Sequence, residues 1–226
     1  SVVITAHNAA ATIGPCLRSV AAQSGLAPGE LEIVLVDDRS TDGTLDAARA
    51  TGLGDQLRLI RIDAPGSAAL TTRQQALAIG FDAARGDVAL TVDADGIVDP
   101  HWVERLSAPI LAGRADAVAG AVSFRAARGW LGAWQTVDQS VYMSICRILA
   151  GLGFDSGVLF GNFAFRRALF REVGGFDGIG HTLTEDLAFA RALGRHGARI
   201  EYEARADVDV EAVPSWAVLI ERAKRA

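Results

Sequence analysis

The chain has 226 residues, of which 50% are hydrophobic and 22% charged, and its formal net charge is −5. That is enough apolar chain to bury the core of one large domain, and the acidic balance argues against a nucleic-acid binder, which presents a basic face. Two cysteines, Cys16 and Cys146, fit no zinc spacing and make no disulfide framework; both fall in apolar helical patterns and read as buried thiols, compatible with a reducing compartment.

Val2-Val3-Ile4 is short, continuous and β-branched, the pattern of a buried parallel strand, and it ends at Thr5-Ala6-His7-Asn8. A helical period follows from Ala9 to Ala22, with Ile13, Leu17, Val20 and Ala21 on one side. Leu31 to Val36 is a second strand, ending in the polar run Asp37-Asp38-Arg39-Ser40-Thr41-Asp42-Gly43-Thr44, in which Ser40, Thr41 or Asp42 is placed to cap a helix over Thr44 to Ala50. Leu57 to Ile62 is a third strand and Ala68 to Ala84 an Ala-rich helix. Val88 to Val92 is a fourth strand, with Asp93 and Asp95 at its tip.

Residues i and i+2 of an extended segment point the same way, so Asp93 and Asp95 are spaced to converge on one hard cation such as Mg²⁺ or Mn²⁺. An EF-hand does not fit: Ile97 and Val98 stand where that loop needs a polar ligand and a glycine. The alternation of strands and helices implies a parallel sheet with right-handed crossovers. The polar clusters His7/Asn8, Asp37/Asp38 and Asp93/Asp95 then all lie at one end of that sheet, where nucleotide sites form.

The second half reads less regularly. Asp99-Pro100 opens a helix through Leu111, Ala117 to Val122 is a strand, and Ser123 to Gly129 is a basic connector. Trp130 to Leu152 is an amphipathic helix; Trp130 and Trp134 buried in the core would remove any reason to assign it a lipid or membrane contact. Gly157 to Phe165 alternates like a strand, and Val173 to Asp177 is a turn after a short helix. Thr184 is placed to cap a helix over Leu187 to Arg195 with Glu185 and Asp186 at its start, Arg199 to Glu203 is a late strand, and a charged helix runs from Trp216. No run of about 20 apolar residues is present to span a membrane. The chain starts inside a strand and ends in an uncapped helix, which reads as a piece of a longer protein whose flanks can carry membrane association.

Taken in order, Val2-Val3-Ile4-Thr5-Ala6-His7-Asn8, Val36-Asp37-Asp38-Arg39-Ser40-Thr41-Asp42-Gly43-Thr44, Asp93-Ala94-Asp95 and Thr184-Glu185-Asp186 resemble glycosyltransferase family 2 over nearly the whole chain. The resemblance implies an α/β fold of the GT-A type, a mostly parallel Rossmann-like sheet with helices on both faces. It implies one catalytic domain, residues 1–99 forming a nucleotide-binding half and 100–226 an acceptor-side half. It also implies inverting, metal-assisted transfer from a nucleotide-diphospho-sugar, most often a UDP-sugar, to a carbohydrate or lipid-linked acceptor, in the cytoplasm or at the cytoplasmic face of a membrane.

Carried over by position, Thr5, His7, Asp38, Arg73 and Asp93 would contact the nucleotide. Asp95, with Asp93, would hold Mn²⁺ or Mg²⁺, Asp186 would be the general base, and Glu185, His181 and Asn162 are candidates for acceptor or diphosphate contacts. Arg39 stands where the family commonly has Gly, and Arg222 to Ala226 lacks the Gln and Trp of the processive members' late motif. The rivals are a catalytically silent nucleotide- or glycan-binding domain and a nucleotidyltransferase, which needs no distant base. A dinucleotide oxidoreductase lacks its Gly-x-Gly-x-x-Gly after the first strand.

Overall fold

The computed structural model describes residues 1–64, 66, 68–125, 129–152 and 158–218. The elements are β1 (Val2–Ala6), α1 (Ile13–Ala21), β2 (Ile33–Asp38), α2 (Thr44–Arg49), β3 (Leu57–Ile62), α3 (Thr72–Ala83), β4 (Val88–Val92), β5 (Ile97–Val98), α4 (Trp102–Leu111), β6 (Ala117–Arg125), α5 (Gly129–Gly151), β7 (Asn162–Arg166), α6 (Ala168–Glu172), α7 (Gly175–Ile179), α8 (Glu185–Arg195) and β8 (Ile200–Glu211). One eight-stranded sheet runs β3-β2-β1-β4-β7-β6-β8-β5. β1 pairs in parallel with β2 and β4, and β2 with β3, as the alternating pattern requires; β7 enters antiparallel between β4 and β6.

Strand alternation sends side chains into two cores. Ile4, Ile33, Leu35 and Leu90 pack with Leu17, Trp102 and Leu106 on one face, whereas Val3, Val34 and Val36 pack with Leu77, Phe81 and Phe189 on the other. Phe163 and Phe165 of β7 join the second core, where Phe81 meets Phe165 edge-on at 5.1 Å between ring centres. Helices therefore cover both faces, as expected.

Several boundaries differ from the sequence pattern. β6 continues to Arg125, through part of what reads as a connector, because β8 runs alongside it to Glu211 rather than stopping at Glu203. The short α7 replaces the expected turn after Val173. Residues 216–218 are helical, and the rest of the expected terminal helix, with Arg222 to Ala226, lies outside the described residues.

The β6–β8 pairing slips between Gly120 and Ala121, so β8 carries Ala204 to Ala206 as extra residues. Asn162 resolves the polar groups this slip frees. Its Nδ2 donates to the Ala206 carbonyl at 2.7 Å and also to that of Ala121, while its Oδ1 accepts from the Trp102 indole at 2.9 Å. A Cβ on Gly120 would stand 2.4 Å from Asn162, so only glycine leaves room for the amide. Asn162 is fully buried and its amide is committed, which removes it from the ligand contacts expected of it. Asn162→Ala is expected to cost roughly 3 kcal/mol by leaving buried donors and acceptors unpaired, lowering Tm by about 10 °C in a thermal melt.

Candidate active site

β1 sits between β2 and β4, so the chain order reverses there and the carboxyl ends of these strands open a crevice. A cleft of about 590 Å³ lies over them, lined among others by Thr5, His7, Asp38, Arg73, Asp93 and Asp95. All six residues expected at a nucleotide or metal thus share one cavity. Arg39, also in its wall, has φ +55°, a left-handed conformation that favours glycine; this accounts for the glycine the family pattern prefers there.

The polar run after β2 both starts α2 and builds the cleft. Asp42 Oδ1 accepts from the amide of Thr44, the first residue of α2, at 3.0 Å. Ser40 Oγ accepts from the Asn8 amide at 2.9 Å, Thr44 Oγ1 from Ala9 at 2.8 Å and Asp42 Oδ2 from Ala10 at 3.1 Å. Asn8 Oδ1 returns a bond by accepting from the Thr41 amide at 2.9 Å. These bonds tie the β1–α1 loop to the β2–α2 loop. His7 Nδ1 lies 2.6 Å from the Asp38 carbonyl oxygen, a donor contact that fixes the imidazole across the same gap. Among the described residues, Asp37 is fully buried and both its carboxylate oxygens lack a partner.

Arg73, on the first turn of α3, joins the two halves of the chain. Its NH2 donates to Asp93 Oδ1 at 2.6 Å and its Nε lies 2.7 Å from Glu185 Oε1, so one guanidinium bridges the tip of β4 and the start of α8. Gln74 reinforces the bridge: it closes a capping box with Thr71 and donates to the Gly180 carbonyl at 2.8 Å. Sequence reading missed this residue, although Thr71-x-x-Gln74 is the signature of such a box. Glu185 is buried and pairs with Arg73. His181 is exposed and lines neither this cleft nor the next.

A second cleft of about 360 Å³ adjoins the first and shares Arg73 and Asp93 with it. Asp186, Gly161, Phe160, Trp134 and Asp138 also line it. Asp186 accepts from the Leu187 amide at 2.7 Å, and burial raises its carboxyl above the ordinary aspartate value against the opposing pull of that bond and of Arg73. Gly161 leaves room for the Asp93 carboxylate at this junction: a Cβ there would stand 2.8 Å from Oδ2, and Asp93 would have to shift. Cys16 lies below, its thiol buried and its ionisation suppressed by desolvation and by Asp95 and Asp93.

The donor set can be tested against a divalent cation on chemistry. Asp93 and Asp95 supply hard carboxylate oxygens to the wall of the first cleft. Oxygens of that kind suit a Mg²⁺ or Mn²⁺ ion, which takes one or two carboxylates and completes its shell with substrate phosphates and water. The first cleft holds Asp38, Asp93 and Asp95 against Arg39 and Arg73, and both arginines are already paired, with Asp38 at 2.8 Å and with Asp93. A diphosphate entering this cleft needs a further positive charge, so the residues present fit the ion.

The family model described as Glycosyl transferase family 2 matches residues 1–174. The chain belongs to glycosyl transferase family 2. Among curated members, a dodecaprenyl-phosphate galacturonate synthase of Rhizobium johnstonii is 36% identical over 100 residues, 44% of this chain and 29% of that protein. An undecaprenyl-phosphate 4-deoxy-4-formamido-L-arabinose transferase of Pseudomonas fluorescens is 34% identical over 112 residues, 48% of this chain and 31% of that protein. The match thus spans under a third of either relative.

The fold is of the GT-A type, as in a mannosyltransferase from Pyrobaculum calidifontis solved in complex with GDP-Man and Mn²⁺. That likeness has a TM-score of 0.72 at 23% identity over 99% of this chain and 60% of that one. TarS of S. aureus in complex with UDP-GlcNAc gives 0.68 at 20% identity over 95% of this chain and 58% of that one.

Proposed function

We propose that this family-2 domain transfers a sugar from a nucleotide-diphospho-sugar to an acceptor hydroxyl by a single, inverting displacement. The observation that carries the reading is the pair of adjoining clefts, one holding the Asp93/Asp95 pair and the other Asp186, with Arg73 and Asp93 as their common wall. A displacement at the anomeric carbon needs a leaving group on one side and a base on the other. Thr5, His7 and Asp38 would hold the nucleoside, and Asp93 and Asp95 would hold the ion, which when bound offsets charge developing on the departing diphosphate. Asp186 would take the proton from the acceptor hydroxyl. Arg73, through Asp93 and Glu185, fixes the spacing between the two sides.

A nucleotidyltransferase would have no use for a carboxylate held in the second cleft, and this favours glycosyl transfer over that rival. Calorimetric titration with UDP, GDP and other nucleoside diphosphates, with and without Mn²⁺, tests the reading. Metal-dependent binding of one nucleotide is expected; no binding by folded protein in the presence of metal would overturn it.

The acceptor is carbohydrate or lipid-linked, and the outer face of α5 supports a lipid-borne one. Trp130 is 70% exposed, Ile148 61% and Val141 54%, and together with Val137, Ile145 and Leu152 they form an uncharged stripe. Trp130 and Trp134 are thus not in the core: they cluster with Trp216 at ring distances of 5.1 and 5.7 Å. Trp134 also lines the second cleft, so the stripe leads into it. No described helix is long and apolar enough to cross a membrane, so contact would be with a bilayer surface. The two lipid-phosphate-named relatives and the buried free thiols are consistent with the cytoplasmic face of a membrane. Phosphatidylcholine vesicles are expected to co-sediment the protein, and Val141→Asp with Ile145→Asp to release it; equal sedimentation of both would remove the lipid contact.

A further inference from the structure

Gln74 lies fully buried on the first turn of α3. The capping box there needs only its Oε1, which accepts from the Thr71 amide at 2.9 Å. The rest of the amide is spent far along the chain. Its Nε2 donates to the Gly180 carbonyl at 2.8 Å, and Oε1 also accepts from the Thr182 amide at 3.4 Å. A glutamate would close the same box, so the helix start alone does not call for an amide.

Gly180 to Thr184 is the loop that delivers the start of α8, and with it Asp186. Gly180, at φ +79°, ends α7. His181, Leu183 and Thr184 are exposed, Leu183 by 61%, so these side chains give the loop no apolar anchor. Thr184 does not cap α8 with its side chain; its amide donates to Thr182 Oγ1 at 3.2 Å, within the loop. Both hydrogen bonds described between this loop and α3 end on Gln74.

We infer that Gln74 is a positioning residue for the transfer: through Gly180 and Thr182 it sets where Asp186 stands against the donor cleft. This rests on the glycosyl-transfer reading and deepens it by naming what holds the base. Two neighbouring residues of α3 then share the work. Arg73 grips Glu185, one residue before Asp186, at 2.7 Å, and Gln74 holds the loop ahead of it. Thr72, Arg73 and Ala76 line the first cleft, so the turn that walls the donor also gauges the distance to the base. Placement matters here, because a reacting group misplaced by about 1 Å can cost about 10² in rate.

The test is carbon-13 NMR of the full chain with its aspartate carboxyls labelled, the Asp186 signal being the one absent from Asp186→Asn. In the wild type, burial holds this carboxyl above the ordinary aspartate value. Gln74→Met keeps the length of the side chain and removes its bonds to Thr71, Gly180 and Thr182. Water then reaches Asp186, and its titration should move back toward the ordinary range. Thr71→Ala breaks the capping box from the other side and spares the Gly180 bond; it should melt lower than wild type with the Asp186 titration unmoved. If Gln74→Met does not fold, Gln74→Glu keeps the box and loses only the donation to Gly180. The Thr182 and Leu187 amides should then exchange with solvent at least about tenfold faster than in the wild type. An Asp186 titration unchanged in Gln74→Met, or moved equally in Thr71→Ala, overturns the inference, as does unchanged exchange in Gln74→Glu. Calorimetry of UDP and GDP with Mn²⁺ on the wild type reports separately on the donor reading: nucleotide binding together with an Asp186 that ignores Gln74 sinks this inference alone.

Discussion

Asp186→Asn is expected to lower kcat by about 10² to 10⁴, the range contributed by a positioned general base, while leaving nucleotide binding in the neighbouring cleft intact. The substitution keeps the shape of the side chain and the oxygen that accepts from the Leu187 amide at 2.7 Å. What it removes is the ability to take a proton. Burial raises the Asp186 carboxyl above its ordinary value, and Asp93 adds to the rise, whereas the Leu187 amide and Arg73 oppose it. Glu185, next to it, is raised by burial too.

Because the base works ionised, the acid limb of the kcat profile should fall as pH drops through this raised value, above the usual aspartate range. The sign for stability is opposite. A carboxyl whose folded pKa exceeds its unfolded value binds its proton more tightly when folded, so ionising it costs stability as pH rises through the folded value. Asp186→Asn removes that cost, and the variant should melt no lower than wild type at neutral pH. A melt several degrees lower would mean that Asp186 serves the fold, and an unchanged kcat would mean that another group takes the proton.

The parts of this molecule that follow from local periodicity were legible in the sequence. β1, β2 and β4 are short β-branched runs buried on both faces, so their parallel pairing and the meeting of His7, Asp38, Asp93 and Asp95 at their ends follow from the pattern alone. What was not legible depends on partners distant in sequence. β8 alternates Ala206, Val208 and Val210 with Asp207, Asp209 and Glu211, but the acidic residues masked a strand whose buried half faces α4. Asn162 follows a glycine in the family pattern and so reads as a site residue. Only the slipped register of β6 against β8 reveals that its amide fills three backbone and side-chain vacancies. Ser40 reads as a helix cap because its type suits that position, and the loop that claims it is more than thirty residues away; Asp42 serves both, with one oxygen on the start of α2 and the other on Ala10. The pairing of Glu185 with Arg73, over a hundred residues earlier, likewise leaves no trace in the local pattern.

Asp95→Ala should abolish the metal dependence of nucleotide binding and lower turnover by about 10² or more, since charge neutralisation by a bound metal is worth several kcal/mol in the transition state. The argument starts from what the first cleft lacks. Its two guanidiniums are each committed to a carboxylate, Arg39 to Asp38 and Arg73 to Asp93, so neither is left over for a diphosphate. Asp93 divides its oxygens: Oδ1 takes Arg73, and Oδ2 faces the space kept open by Gly161. Asp95 follows two residues on and lines the same cleft, so the pair is placed to hold the ion together. Removing Asp95 leaves one shared carboxylate, too few for a cation that keeps few protein ligands to begin with. Calorimetry of UDP or GDP with and without Mn²⁺ on both proteins reads the effect directly. The variant should bind the nucleotide weakly and equally with or without Mn²⁺. If Asp95→Ala keeps the metal-dependent gain of the wild type, the ion is held elsewhere and the donor half of the mechanism fails, whatever becomes of Asp186.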